Sequence, residues 1–131
     1  WSQVGSGMVG KLPKPMAVDD FLNHLKSSMK AKVIRYTPVS GKVISKVAVC
    51  GGSGSFLLQD AIRSGADAFV SADFKYHQFF DADGKIVIAD IGHFESEQFT
   101  MDLLVDKLKQ KFPTFAVRQT EINTNPITYH T

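Results

Sequence analysis

Three short apolar runs constrain this chain most: Val43 to Cys50, Asp67 to Ser71 and Lys85 to Ile91. The last is β-rich throughout its middle, Ile86-Val87-Ile88-Ala89, and each run is too short for an ordinary helix and bounded by turn residues. Amphipathic segments lie among them. Ala17 to Lys30 places Val18, Phe21, Leu22, Leu25 and Met29 on one helical face, with Asp19 and Asp20 at the end where the helix dipole favours acids. Phe56 to Ser64, closed by Gly65, reads as a second helix. Glu95 to Phe112, stopped by Pro113, reads as a third, with Phe99, Leu103, Val105 and Leu108 as candidate core residues.

Further strands are expected at Val4 to Leu12, which Pro13-Lys14-Pro15 should end, at Lys32 to Thr37, and at Phe115 to Ile122, where apolar and polar residues alternate. Asp73 to Asp81 is expected to form one or two helical turns, and Asn125-Pro126 to open an extended tail. Strands interleaved with helices predict an α/β fold of mixed α+β character, a mixed sheet with helices packed on it. No internal repeat or long linker divides the chain, so residues 1–131 are expected to form a single domain.

Hydrophobic residues at 44% and charged residues at 21% supply an ordinary globular core, and no apolar run approaches the ~20 residues of a membrane helix. The opening Trp1-Ser2-Gln3-Val4-Gly5 has neither the basic nor the apolar region of a secretory signal, and it lacks a Met. A cytoplasmic fragment of a longer protein is therefore expected. Cys50, the single cysteine, leaves no internal disulfide or multi-thiolate zinc site, and at the end of an apolar run it reads as a packing thiol.

Charge is unevenly spread. Phe21 to Gln59 holds six basic residues and no acid, whereas Asp60 to Asp106 holds ten acids against Arg63, Lys75 and Lys85. Such a contrast suits an anionic ligand beside a metal, although two solvated faces of opposite sign account for it more simply. Nucleic-acid binding ranks last among the readings, because the basic stretch carries no reading motif.

Two glycine strings need context. Gly5-Ser6-Gly7-Met8-Val9-Gly10 matches a dinucleotide-binding string, yet only four residues stand before it in this sequence and prolines follow where a helix should run, so glycines admitting a close backbone are the better account. Gly51-Gly52-Ser53-Gly54-Ser55 joins a strand to a helix; it lacks the Lys-Ser/Thr ending of a triphosphate loop and reads first as a tight turn, with an anion cradle as the alternative.

The strongest chemical signal is Asp90-Ile91-Gly92-His93-Phe94-Glu95-Ser96-Glu97, where a buried strand gives way to a helix. His93 and Glu97 are four apart, so on a helix their heads converge, and imidazole plus carboxylate suits a divalent ion such as zinc, iron or manganese. Asp73 and His77 form a second four-residue pair after another apolar strand. A helix-start aspartate and a hydrogen-bonded core histidine explain that pair most simply, with a third ligand, a general acid/base or an outer contact as the alternatives for His77.

Taken in order, Val47-Ala48-Val49-Cys50-Gly51-Gly52-Ser53-Gly54, Gly65-Ala66-Asp67-Ala68-Phe69-Val70, Asp73-Phe74-Lys75-Tyr76-His77, the Asp90–Glu97 segment and Asn125-Pro126-Ile127-Thr128-Tyr129 resemble the C-terminal half of the Nif-three-like family. Its members are also called type 2 GTP cyclohydrolases or dinuclear metal-centre proteins. The resemblance implies one of two related α/β halves around a cleft holding two divalent metals, and a homo-oligomer, a hexamer of the intact parent. It assigns His93 and Glu97 as metal ligands, places His77 near the cleft, and makes a nucleotide the expected ligand. His77 and Glu95 are the candidates for moving protons. The family's further ligands, a His-His pair and an aspartate, belong to the other half, and no His-His occurs in this chain. The leading expectation is thus part of a metal-dependent hydrolase; the alternative is a non-catalytic metal-binding assembly or regulatory module.

Overall fold

The computed structural model describes residues 5–130. Val4, the first residue of the expected opening strand, lies outside them. A five-stranded mixed sheet forms the centre, built from β1 (Met8–Ala17), β2 (Arg35–Tyr36), β3 (Val43–Ser53), β4 (Ala68–Ala72) and β5 (Val87–Asp90), in the spatial order β1-β3-β4-β5-β2. The three central strands are parallel, and β1 and β2 close the two edges antiparallel.

The apolar runs fill this sheet because both of its faces are covered. All five residues of β4 and all four of β5 are buried. Side chains alternate between the faces with the two-residue period of a strand. Ala68, Val70, Val87, Ala89 and Ile91 point to one side, where α1 (Val18–Ser28) contributes Phe21 and Leu25. Phe69, Ile86 and Ile88 point to the other, against Leu58 and Ala61 of α2 (Leu58–Arg63) and against Phe74. Cys50 is buried in this second cluster, its thiol raised in pKa by that burial and then by the charge of Glu97.

Several expectations need correction. The prolines do not end the first strand: β1 runs through Pro13 and Pro15, and its register with β3 breaks between Lys11 and Met16, an edge irregularity that tolerates a missing N–H. Lys32 to Thr37 yields only two strand residues. The Phe56–Ser64 helix is a 3-10 turn, Ser55–Leu57, followed by α2, and the turns expected over Asp73 to Asp81 form at Tyr76–Ala82. The long third helix is two: α3 (His93–Glu97) and α4 (Thr100–Lys111). Its expected core is not buried, since Leu103 is 55% and Leu108 44% exposed. α4 carries an apolar stripe with no fully buried residue: Val105 is half-buried, and Leu103, Leu104 and Leu108 are exposed. No strand forms over Phe115 to Ile122; an alternating pattern is a strand only when a neighbour accepts its hydrogen bonds. No helix among the described residues is long and apolar enough to cross a membrane.

Candidate metal centre

Parallel strands deliver their C-terminal ends to one edge of a sheet, where ligands commonly bind. Here that edge carries Gly51 to Ser53 of β3, Asp73 just after β4, and Asp90 to His93 leaving β5. Asp90 is 4% exposed and binds the ends together: its carboxylate accepts hydrogen bonds from the Phe74 N–H at 3.0 Å and the Gly92 N–H at 3.2 Å, and it is ion-paired with Arg35 of β2. Gly92 then turns the chain at φ 94, and α3 starts with His93. A Cβ at Gly92 would lie 2.3 Å from the Glu95 carboxylate, so both its conformation and its surroundings call for glycine.

One helical turn brings His93 Nε2 to 3.3 Å from Glu97 Oε2. On the far side of the ring, Nδ1 lies 2.6 Å from Asp73 Oδ2, and Asp73 also accepts the Ser53 hydroxyl proton. These bonds hold the Asp73 carboxyl below its ordinary pKa, Ser53 contributing most and His93 next. The Asp73 bond in turn raises the His93 pKa above the ordinary histidine value. His93, Asp73 and Glu97 are all about half exposed. Ser96 supports the arrangement from behind, accepting the Gly52 N–H at 2.8 Å and donating to the His93 carbonyl at 2.8 Å.

The glycine loop is a tight turn serving this edge. Its Gly52 N–H is taken by Ser96 and its Gly54 N–H by the Ser71 hydroxyl at 3.0 Å, which leaves neither free for an anion. The opening glycine string runs into a strand instead of a helix, and a Cβ at Gly7 would approach the Val49 carbonyl to 2.9 Å, the close backbone contact expected of it.

Of the second four-residue pair, Asp73 joins His93, and His77 is not the core histidine expected of it. Asp73 turns to His93, twenty positions away, while the exposed His77 makes no side-chain hydrogen bond among the described residues. Glu95 points inward at 6% exposure, and its Oε2 has no hydrogen-bond partner among the described residues. It lies beside Tyr129, whose hydroxyl is pushed up in pKa first by burial and then by the Glu95 charge. Sequence reasoning missed Ser53 and Asp90. Only their places after apolar strand residues could have pointed to them.

Fit to a metal is partial. Imidazole nitrogen and carboxylate converge as two donors above Gly52, where no side chain intrudes. Among the described residues no group of three or more His, Cys, Asp or Glu is placed to hold an ion. A cavity of about 340 Å³ adjoins the pair, walled by Met101 and by Pro126 and Ile127 of the tail. A larger one, about 650 Å³, lies between β2 and the Tyr76–Ala82 turn, lined by Tyr36, Tyr76 and Phe80, and includes neither His93 nor Glu97.

Comparison with known proteins places this geometry in context. The model of the family described as Duf34/NIF3 (NGG1p interacting factor 3) matches residues 2–126. A Staphylococcus epidermidis protein named GTP cyclohydrolase 1 type 2 homolog is 34% identical over 135 residues, an alignment covering 98% of this chain and 36% of that protein. The chain thus spans little more than a third of that relative. Among solved structures, Staphylococcus aureus protein SA1388 superposes with a TM-score of 0.82 at 28% identity, over 95% of this chain and 42% of that one. A Bacillus cereus protein related to NIF3 gives 0.81 at 29%, over 96% and 36%.

Proposed function

The chain belongs to the Duf34/NIF3 (NGG1p interacting factor 3) family, and from that premise we propose that it is the C-terminal, ligand-bearing part of a metal-dependent hydrolase. The observation that carries this reading is the convergence of His93 Nε2 and a Glu97 carboxylate oxygen at 3.3 Å over Gly52. These two side chains would hold a divalent cation, zinc, iron or manganese, with the remaining donors supplied from outside these 131 residues. When bound, such a cation supplies Lewis acidity that activates water for hydrolysis. A purine nucleotide is the substrate class, taken from the name of the Staphylococcus epidermidis relative and from the family resemblance. The chain's own contribution is to orient the two donors and to wall the adjoining cavity with Met101, Pro126 and Ile127.

The test uses the intact protein. Metal content and hydrolysis of a nucleotide panel are measured for wild type, His93→Ala and Glu97→Gln. The reading requires bound divalent metal and turnover in the wild type, both lost in each variant. Metal retained fully by both variants sinks it.

The second reading is a non-catalytic assembly module, which the largely exposed apolar stripe of α4, with Leu104 and Leu108 exposed, favours. A homo-oligomer that binds metal yet turns over no nucleotide supports this reading over the first.

A further inference from the structure

We propose that Asp73, braced by Ser53, is a positioning residue that fixes the His93 imidazole with its proton on Nδ1, so that Nε2 presents a lone pair to a divalent cation. The inference rests on the metal reading above and assigns a residue that the two-donor geometry leaves unexplained. A neutral imidazole carries one proton, and the hydrogen bond at one nitrogen decides which nitrogen remains basic. Two carboxylates flank this ring. Asp73 Oδ2 lies 2.6 Å from Nδ1, whereas Glu97 Oε2 stands 3.3 Å from Nε2. The shorter contact is the stronger acceptor for the single proton.

Local structure does not account for the conformation of Asp73. The residue adopts φ 58, a left-handed geometry uncommon for a side chain other than glycine. An aspartate in such a turn ordinarily accepts from backbone N–H groups nearby, but the following Phe74 N–H goes to Asp90. Both side-chain partners of Asp73 are instead twenty positions away, Ser53 on one side and His93 on the other. A carboxylate bonded to the far nitrogen of a metal-binding histidine orients the ring and increases its basicity. Ser53 gives Asp73 a donor of its own, which keeps the carboxylate oxygen directed at the ring.

Long-range ¹⁵N–¹H spectra of the intact, metal-free protein above the His93 titration range test the inference directly. Wild type should show the proton on Nδ1. Asp73→Asn, which tolerates the left-handed backbone and can turn its amide N–H towards Nδ1, should shift the proton towards Nε2. Zinc(II) binding, followed by calorimetry, should weaken by about 10–100-fold in Asp73→Asn. Its metal-free thermal midpoint reports whether the fold is kept, and an Asp73→Glu variant tests rescue by a longer carboxylate. An Nε2–H tautomer in the wild type, a proton position unmoved by Asp73→Asn, or undiminished zinc affinity with the proton moved each overturns the proposal. Wild-type protein that shows the Nδ1–H tautomer but binds no zinc sinks the metal reading instead, and with it the use proposed for Nε2, while the hold of Asp73 on the ring stands.

Discussion

Gly52 makes room for Glu97: a Cβ at that position would lie 2.6 Å from Glu97 Oε1 and 3.2 Å from His93 Nε2. The backbone there has φ 63, so the absence of a side chain serves both the conformation and the approach of the two donors.

Gly52→Ala should therefore act twice. The left-handed backbone alone costs about 1–2 kcal/mol for a residue with a Cβ, and the displaced Glu97 should no longer meet His93. Urea unfolding of the metal-free protein checks the first effect, and zinc affinity checks the second. An alanine variant equal to wild type in both would refute the crowding argument.

The His93–Asp73 pair gives a pH dependence with a defined sign. His93 has a raised pKa in the folded chain, so its contribution is complete below the unfolded histidine value and fades as pH rises through the folded one. Asp73 has a lowered pKa, so its contribution is complete above the unfolded carboxyl value and fades as pH falls through the folded one. The metal-free thermal midpoint of wild type should exceed that of Asp73→Asn most between the unfolded carboxyl and unfolded histidine values, the gap closing as pH falls through the folded Asp73 value or rises through the folded His93 value. Both groups are about half exposed, so added salt should narrow it. A gap that is constant across pH contradicts the pairing.

Asp90→Ala should be among the more damaging single changes. It strands the Phe74 N–H, which costs about 1–3 kcal/mol for a buried donor, and it releases the Arg35 link between β2 and β5. Chemical denaturation measures the loss. Amide exchange at Phe74 should quicken as well, since that N–H would have lost its acceptor.

By contrast, Leu104→Ala on α4 should change the unfolding free energy by no more than about 0.5 kcal/mol, because this side chain is already 56% exposed. If α4 is an assembly surface, the same change lowers the oligomeric state of the intact protein by sedimentation. A large stability loss without any change in assembly would mean that the stripe is packed within the chain.

Much of this molecule follows from local spacing. The apolar character of residues 68–72 and 86–91 specifies strands covered on both faces, because each face receives every second side chain. The four-residue interval between His93 and Glu97 sets their meeting for the same kind of reason, since one helical turn is a fixed geometry wherever the helix is placed. Partners that depend on which strand ends lie together were not legible. Asp73 has His77 four positions along, yet it bonds His93, because parallel pairing of β4 with β5 places the two strand ends side by side. Glu95 shares α3 with both candidate ligands, yet packs inward beside Tyr129. An amphipathic pattern likewise names the face that α4 would bury, but burial needs a second surface. Spacing along the chain therefore determined what each segment can present, and tertiary structure decided what each one meets, because a side chain's partner is fixed by the neighbouring backbone.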